Sequence, residues 1–537
     1  MSLQRKIFIN GKIFTSNDDQ PYAETMIVEN GKITWIGQAK DLEHVQGQVV
    51  DLQNRRVIPG LIDAHLHPLF LARASTQITC MPPVIHSIEE LITALQKQIE
   101  GEGSLHWIES WGYDEGKLAE RRAPNRYDLD RSSLEVPIVV TRTCGHIYSV
   151  NSKVLELAGI DEHTKNPEGG EIDRDENGIP TGILRENAKN LVDKIMPVKT
   201  MEQEAELLAS LSPKLLEYGI TGITEMMARK TPTDYFELYK LASMKGLKQR
   251  TVLYPLWGDL KENPVIPPED RNNNNQIFIG GIKLFSDGSV SGKTAWVNEG
   301  YIGIPGATGI CTTSKEEILA AAKAAKANRV QVVIHGMGDR AIDLIIDTLA
   351  EQEPWLEQMP SIRIEHAAMV SEQSMKKAAN ASIGFVPQPI FLFAEIESYL
   401  ENLGLERTKK TYEIKTMLEE GVPVAFSSDA PATAWAEPAN PFVGIQAAVT
   451  RISHDGTDTG KEQAVDIKTA IKLYTQGSQF ITGIPGVGKL AVGYHADFVV
   501  LDRDILSIPE NKIIDTLVDA TYMGGQVVFS RKIQSVI

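Results

Sequence analysis

Cysteine is scarce in this chain of 537 residues: only Cys80, Cys144 and Cys311 occur. They are far apart, odd in number and show no CxxC spacing, which excludes a disulfide framework and a zinc site built on thiolates. Positive charge is also short, with 54 Lys and Arg against 71 Asp and Glu, a formal net charge of −17. That balance argues against a nucleic-acid or anionic-membrane partner. No apolar run reaches the ~20 residues that span a bilayer. The opening MSLQRKIFINGKIF goes directly into alternating apolar residues without a signal-peptide core, so cytoplasm is the expected location. Internal repeats and low-complexity segments are missing too, and RNNNNQ (Arg271 to Gln276) reads as a polar loop. Any metal must therefore be held by nitrogen and oxygen.

What is present is an ordinary globular composition in a chain too long for one core, so two or more domains are expected. Near the N-terminus, Asn10-Gly11 and Asn30-Gly31 sit between short alternating stretches, a strong hairpin signal. The C-terminal stretches GKLAVGYHADFVVLD (Gly488 to Asp502) and ATYMGGQVVFSRK (Ala520 to Lys532) read the same way. Both ends together predict one small β-sandwich, from residues 1–56 and 481–537. The middle, 57–480, alternates apolar strands with helical patterns, which predicts βα units and a parallel sheet. Candidate strands are Val57–His67, Ile220–Glu225, Arg250–Leu256, Phe278–Phe285, Val330–His335, Ile362–His366, Ser382–Val386 and Val422–Ser428. Eight is the number that closes a (β/α)8 TIM barrel. The gap after the first strand is far beyond a βα connection, so a large insertion is placed at about 72–213, with VPIVVTRTCGH (Val136 to His146) as a strand of its own.

In such a barrel the chemistry sits at the C-terminal strand ends. The first strand, in VIPGLIDAHLHPLF, ends in His65 and His67, which a β-strand points to one face. Lys283 lies inside the apolar GGIKLFSDGS; VQVVIHGMGD carries His335, IRIEHAAMV carries His366, and VAFSSDAPA carries Asp429. A lone His at a strand end is ordinarily a hydrogen-bonded polar group, but four on the strand ends of one barrel point to a metal centre. Imidazole and carboxylate suit zinc, and also manganese, iron or cobalt. The chemistry expected is hydrolysis by a metal-activated hydroxide, with Asp429 as general base and later proton donor. Lys283 is the odd member: burial favours its neutral amine, which can take up carbon dioxide as an anionic, metal-bridging carbamate. Its alternative is a surface lysine at a strand end.

The motifs VIPGLIDAHLHP, GGIKLFSDGSVSGKTA, VVIHGMGDRAID, RIEHAAMV and SSDAPA resemble the amidohydrolase superfamily, in its amidohydrolase-3 branch of YtcJ/AepA-like proteins related to N-substituted formamide deformylase. So do WGYDEGKL, TCGHIYSVNSKVLELAGI and PEGGEIDRDENGIPTGILRENA inside the insertion, and the likeness runs nearly end to end. The resemblance implies a barrel with a β-sandwich from both termini. It implies metal ligation by His65, His67, His335, His366 and Asp429, with Lys283 the carboxylated bridge of a binuclear site. His146, in the branch's GH signature, is expected to reach the substrate, with a structural role in the insertion as its alternative. Glu186, Asp339, Gln388 and Asp287 are weaker candidates for the pocket wall, Asp287 equally a turn residue. Where the branch often shows GSRTA and GSD, this chain has SGKTA and Ser427-Ser428-Asp429; neither change removes a ligand.

The reaction expected is hydrolysis of a C–N bond in an N-acyl or N-formyl small molecule. A mononuclear deaminase is the alternative, discounted because Gly336, Met337, Gly338 and Asp339 replace an HxxE pattern and Lys283 is present. A lactonase or phosphotriesterase would use the same centre. A regulatory or binding protein on a degenerate barrel would have lost ligands, and none is missing. Trp111, Tyr113, Phe391 and Trp435 are candidates for an apolar pocket or for ordinary packing, and a homodimer is expected by family analogy.

Overall fold

The computed structural model describes residues 5–42, 45–102, 107–143, 145 and 147–531, the Glu102 side chain excepted. The chain separates into two compact units. One takes Met1–Pro68, Ala205–Ala430 and Ala439–Ile537; the other takes Leu69–Glu204 with the short segment Pro431–Pro438. Among the described residues no helix is long and apolar enough to cross a membrane.

The first unit is built on parallel strands. Strands β1 (Leu61–Ile62), β2 (Ile220–Ala228), β3 (Arg250–Pro255) and β4 (Ile277–Ile279) pair in that order. After Gly280, strands β5 (Gly281–Phe285), β6 (Gln331–Gly336), β7 (Ile362–His366) and β8 (Gly384–Val386) do the same. A parallel bridge between Leu256 and Lys283 links the two sets. Parallel neighbours need long crossovers, and helices Tyr235–Lys245, Lys315–Asn328, Asp339–Leu349 and Glu372–Asn380 follow β2, β5, β6 and β7. This is a TIM-barrel-type arrangement. Strands covered on both faces read as unbroken apolar runs, and Val332, Val333 and Ile334 of β6 are all buried. Ile62, Met226, Val252, Tyr254, Phe278 and Val333, from both sets of strands, form one core cluster with Ile484 and Val487. Each large aliphatic buried there contributes about 1.5–3 kcal/mol.

Three of the expected strands differ, the first being Phe278–Phe285, which breaks at Gly280 into β4 and β5 of different sheets. The run Val57–His67 serves two sheets. Arg56–Pro59 pairs antiparallel with Phe498–Leu501 and parallel with Lys12–Phe14, and only Leu61–Ile62 joins the barrel-type sheet. Gly60 makes the crossing, where a Cβ would lie 2.3 Å from Thr221 Oγ1. The chain then leaves β geometry at Asp63, so His65 and His67 stand beyond the strand end and not on it. The eighth run, Val422–Ser428, is reduced to a single bridge from Val424 to Phe385. Pro423 has no N–H to donate, the Ser428 N–H donates to the Asp63 side chain instead of a ladder, and Asp429 turns left-handed at φ 56°. Ala64 N also donates to Phe426 O at 3.4 Å, and just past the run Asp429 N donates to His65 O at 2.7 Å.

Both chain ends share a six-stranded sheet ordered Gln526–Ser530, Val518–Met523, Phe498–Leu501, Arg56–Pro59, Lys12–Phe14 and Tyr22–Ala23. A four-stranded sheet from residues 5–51 contributes Phe8, Met26 and Val28 to the cluster that also holds Val57, Phe498 and Val500. The second unit carries its own six-stranded sheet, ordered Gly170–Arg174, Pro180–Glu186, Ile147–Val150, Ile138–Arg142, Ile108–Tyr113 and Ile78–Thr79. Successive residues of a strand face opposite sides, and here Ile138 and Val140 enter one core while Val139 enters another.

Candidate metal centre

The strand ends of the first unit gather most of the expected side chains. One donor atom each from His65, His366 and Asp429 lie within 4.8 Å of one another, and all three residues are buried. Asp429 Oδ1 is 3.2 Å from His65 Nε2 and 3.0 Å from His67 Nε2. The His65 and His366 ring centroids are 4.9 Å apart, and those of His366 and His335 are 4.4 Å apart. The backbone makes the convergence. His366 and Ala367 both have positive φ, 68° and 46°, so strand alternation stops at His366. Glu365 and His366, consecutive in sequence, thereby both reach the His65 ring.

Each imidazole has a distinct setting. His65 Nδ1 donates to Glu365 Oε2 at 2.5 Å, and His366 Nδ1 donates to Gln388 Oε1 at 2.8 Å. Both rings therefore keep Nε2 free for the cluster, the usual outer bonding of metal-bound histidines. His335 instead donates from Nε2 to the Gly288 carbonyl at 3.0 Å, 3.3 Å from Asp287 Oδ1, and stands at the edge of the triad. His67 Nδ1 is 3.7 Å from Glu225 Oε1, beyond hydrogen-bond reach.

The electrostatics are those of a buried, charged site. Burial would push His67 down, but the carboxylates of Asp429 and Glu225 raise it to about 9. Burial would raise Asp429, yet His65 and His67 beside it hold it well below the ordinary carboxylate range. Burial, with His335 alongside, pushes His366 well below the usual imidazole value. Lys283 is lowered by burial to about 8, against the pull of Glu365 and Asp429.

The residues fit a divalent cation. His67 Nδ1, Lys283 Nζ and Asp429 Oδ1 are buried with no hydrogen-bond partner among the described residues. Each such atom costs about 1–3 kcal/mol unless something satisfies it. With its Nδ1 proton committed to Glu365, His65 brings Nε2 to 3.2 Å from Asp429 Oδ1. Two acceptors that close stay together only with a cation or proton between them. The nitrogen and oxygen donor set is one that zinc accepts.

Other expected residues fall elsewhere. Gln388 is fully buried, and its amide is committed to His366, the Val386 carbonyl and Ser427 Oγ, so it supports a ring and does not face a pocket. Asp339 accepts from the backbone and side chain of Asn298 at the start of its own helix. Glu186 ends a strand of the second unit at φ 48°. His146, like Cys144, lies outside the described residues. Asp287 is more than a turn residue: it accepts from the N–H groups of Trp296, Met337 and Gly338. Of the aromatic candidates, Phe391 stacks on His366 at 6.0 Å, while Trp111 packs on Phe70 in the second unit.

Sequence reasoning missed Asp63, Glu225, Arg363 and Glu365. Asp63 accepts from His65 N and Ser428 N, and burial raises it to about 7. A signal was available: Arg363 and Glu365 alternate within an apolar strand, and ionisable residues at period two share one face.

Buried imidazoles and a carboxylate meeting at the strand ends of a TIM-barrel-type fold form a nitrogen and oxygen donor set that suits a divalent metal. The chain belongs to the amidohydrolase family, whose sequence profile matches residues 48–529. It is 26% identical to YtcJ of Bacillus subtilis (strain 168) over 98% of this chain and all of that protein. It is likewise 26% identical to the N-substituted formamide deformylase of Arthrobacter pascens, over 98% of each. Among solved structures, an uncharacterized metal-dependent hydrolase from Pyrococcus horikoshii OT3 superposes with a TM-score of 0.76 at 28% identity, covering 94% of this chain and 99% of that one.

Proposed function

We propose that this protein hydrolyses a C–N bond, in an amide, N-acyl or N-formyl small molecule, at a zinc centre held by His65, His67, His366 and Asp429. In this reading the two sets of strands close into one (β/α)8 barrel, and the sheets of the chain ends form a β-sandwich beside it. The observation that carries it is the buried donor triad of His65, His366 and Asp429, ringed by polar atoms that lack partners. The formamide deformylase relative adds the bond type. His335 and Lys283 stand at the second metal position, Lys283 as its carbamate: the neutral amine attacks carbon dioxide, loses a proton and becomes an anion. A buried nitrogen with no partner and a lowered proton affinity suits that change.

The metal, when bound, supplies Lewis acidity and brings a water toward ionisation at neutral pH. The chain's own residues do the rest. Glu365 and Gln388 fix the His65 and His366 rings. Asp429, held anionic by the neighbouring imidazoles, accepts the proton lost by water as it attacks the carbonyl carbon. The same carboxyl returns that proton to the leaving nitrogen as the C–N bond breaks, giving an acid and an amine.

The test is metal content per chain on protein grown with zinc and bicarbonate, followed by assay on N-formyl amides, N-acyl amines, lactones and amino-heterocycles. One or two zinc ions with release of amine and acid supports the reading. Ammonia release from a heterocycle would replace it with deamination. A chain that resists metal loading would remove hydrolysis altogether.

A further inference from the structure

We infer that Glu365, clamped by Arg363, is a positioning residue that fixes which nitrogen of His65 faces the metal. The inference rests on the metal-centre reading above. Both Glu365 and Arg363 are fully buried. The Arg363 guanidinium forks onto the carboxylate, Nε to Oε1 at 2.5 Å and Nη2 to Oε2 at 3.0 Å. It is itself fixed by the Tyr254 hydroxyl at 3.0 Å and the Ala64 carbonyl at 2.7 Å. Ala64 immediately precedes His65, so Arg363 ties the backbone beside the ring to the carboxylate that receives the ring's proton.

The chemistry follows from the acceptor count. An ionised carboxylate only accepts hydrogen bonds. His65 must therefore carry a proton on Nδ1, and Nε2 is the nitrogen turned toward Asp429. The Arg363 fork donates to both carboxylate oxygens, so Glu365 faces His65 as an acceptor. Without the pair, the ring is free to take its other tautomer, with Nε2 protonated and useless as a ligand. Strand β7 thus supplies one candidate ligand, His366, and the residue that orients another. Carboxylate partners of this kind typically alter metal affinity about 10–100-fold.

The experiment compares the full-length protein with Glu365→Gln and with the double variant Arg363→Met/Glu365→Gln. The double variant removes both buried charges at once, so that no unpaired ion remains. Zinc affinity is read by chelator competition, the ligand field by the absorption of the cobalt-substituted protein, and the fold by urea unfolding. The expected result is a double variant that unfolds near the wild-type urea midpoint, binds zinc about 10–100-fold more weakly and has an altered cobalt spectrum. A residue that merely fills the core would change the urea midpoint and leave zinc affinity and spectrum alone. A folded variant with wild-type zinc affinity and spectrum overturns the inference and leaves the metal centre standing. Wild-type protein that binds neither zinc nor cobalt overturns both. Should the double variant not fold, Glu365→Asp decides on the same criteria, since it keeps the charge and withdraws the carboxylate by one methylene.

Discussion

Asp287→Asn tests how the strand ends are held in place. The Asp287 carboxylate accepts three backbone N–H groups: Trp296 at 2.9 Å and Gly338 at 2.8 Å on Oδ2, and Met337 at 3.0 Å on Oδ1. It thereby pins the loop after β5 to the segment that follows His335. Asparagine has the same shape but one acceptor oxygen. If that oxygen keeps Trp296 and Gly338, the side-chain NH2 faces the Met337 N–H, donor against donor. One buried N–H left unmade costs about 1–3 kcal/mol, and two bonds lose their charge assistance, about 1 kcal/mol each. Local opening should become easier by about 3–5 kcal/mol, which is at least about 100-fold at 1.4 kcal/mol per decade. The assay is amide hydrogen exchange read on peptides containing Trp296 and Met337–Gly338, with a distant segment such as β3 as internal control. Exchange at those amides unchanged to within about threefold, under 1 kcal/mol, would show that the carboxylate is not what holds the two segments together.

Further outcomes follow from the same structure. His65→Ala or His67→Ala should abolish metal loading and cut turnover by about 10³-fold or more, the several kcal/mol a catalytic metal supplies; circular dichroism should stay unchanged, and undiminished turnover in the double variant would remove both from the site. Chelation should lower the melting temperature, because zinc held at 1,000 times its dissociation constant contributes about 4 kcal/mol; zinc should restore it, and a melting curve indifferent to chelator would count against a bound metal. Gly60→Ala should destabilise by about 1–3 kcal/mol, since its Cβ would meet Thr221 Oγ1 at 2.3 Å, buried and on a neighbouring strand; wild-type urea unfolding would mean that the crossing point can shift.

How much of this was readable in advance depends on how far apart in sequence the relevant partners lie. Lys283, His335, His366 and Asp429 announce themselves because an ionisable residue at the end of an apolar run is locally anomalous, and parallel strand ends share one face of the fold. The family resemblance, resting on motifs such as VIPGLIDAHLHP and RIEHAAMV, agrees with the family match. The same local reasoning misjudges the geometry of one pair. His65 and His67 do not meet by strand alternation, since the strand has ended at Ile62; they meet because Asp63 caps the turn through His65 N and Ser428 N, a contact across 365 residues. Asp339 reads from its motif as a candidate for the pocket wall, but three residues past the strand end it starts a helix and turns to Asn298. Gln388 was legible as a polar residue near the site, though not as the partner of His366, because that depends on the register between β7 and β8. Glu365 and Arg363 stand out as charges in an apolar strand, but their role is hidden for the same reason. Their partners, His65 and Ala64, lie about 300 residues away, and only the closing of β7 against the first run brings a buried charge pair under a ligand. Local pattern thus identifies which residues are chemically exceptional. What each one does is set by long-range register, and there a single buried carboxylate decides how an imidazole is presented.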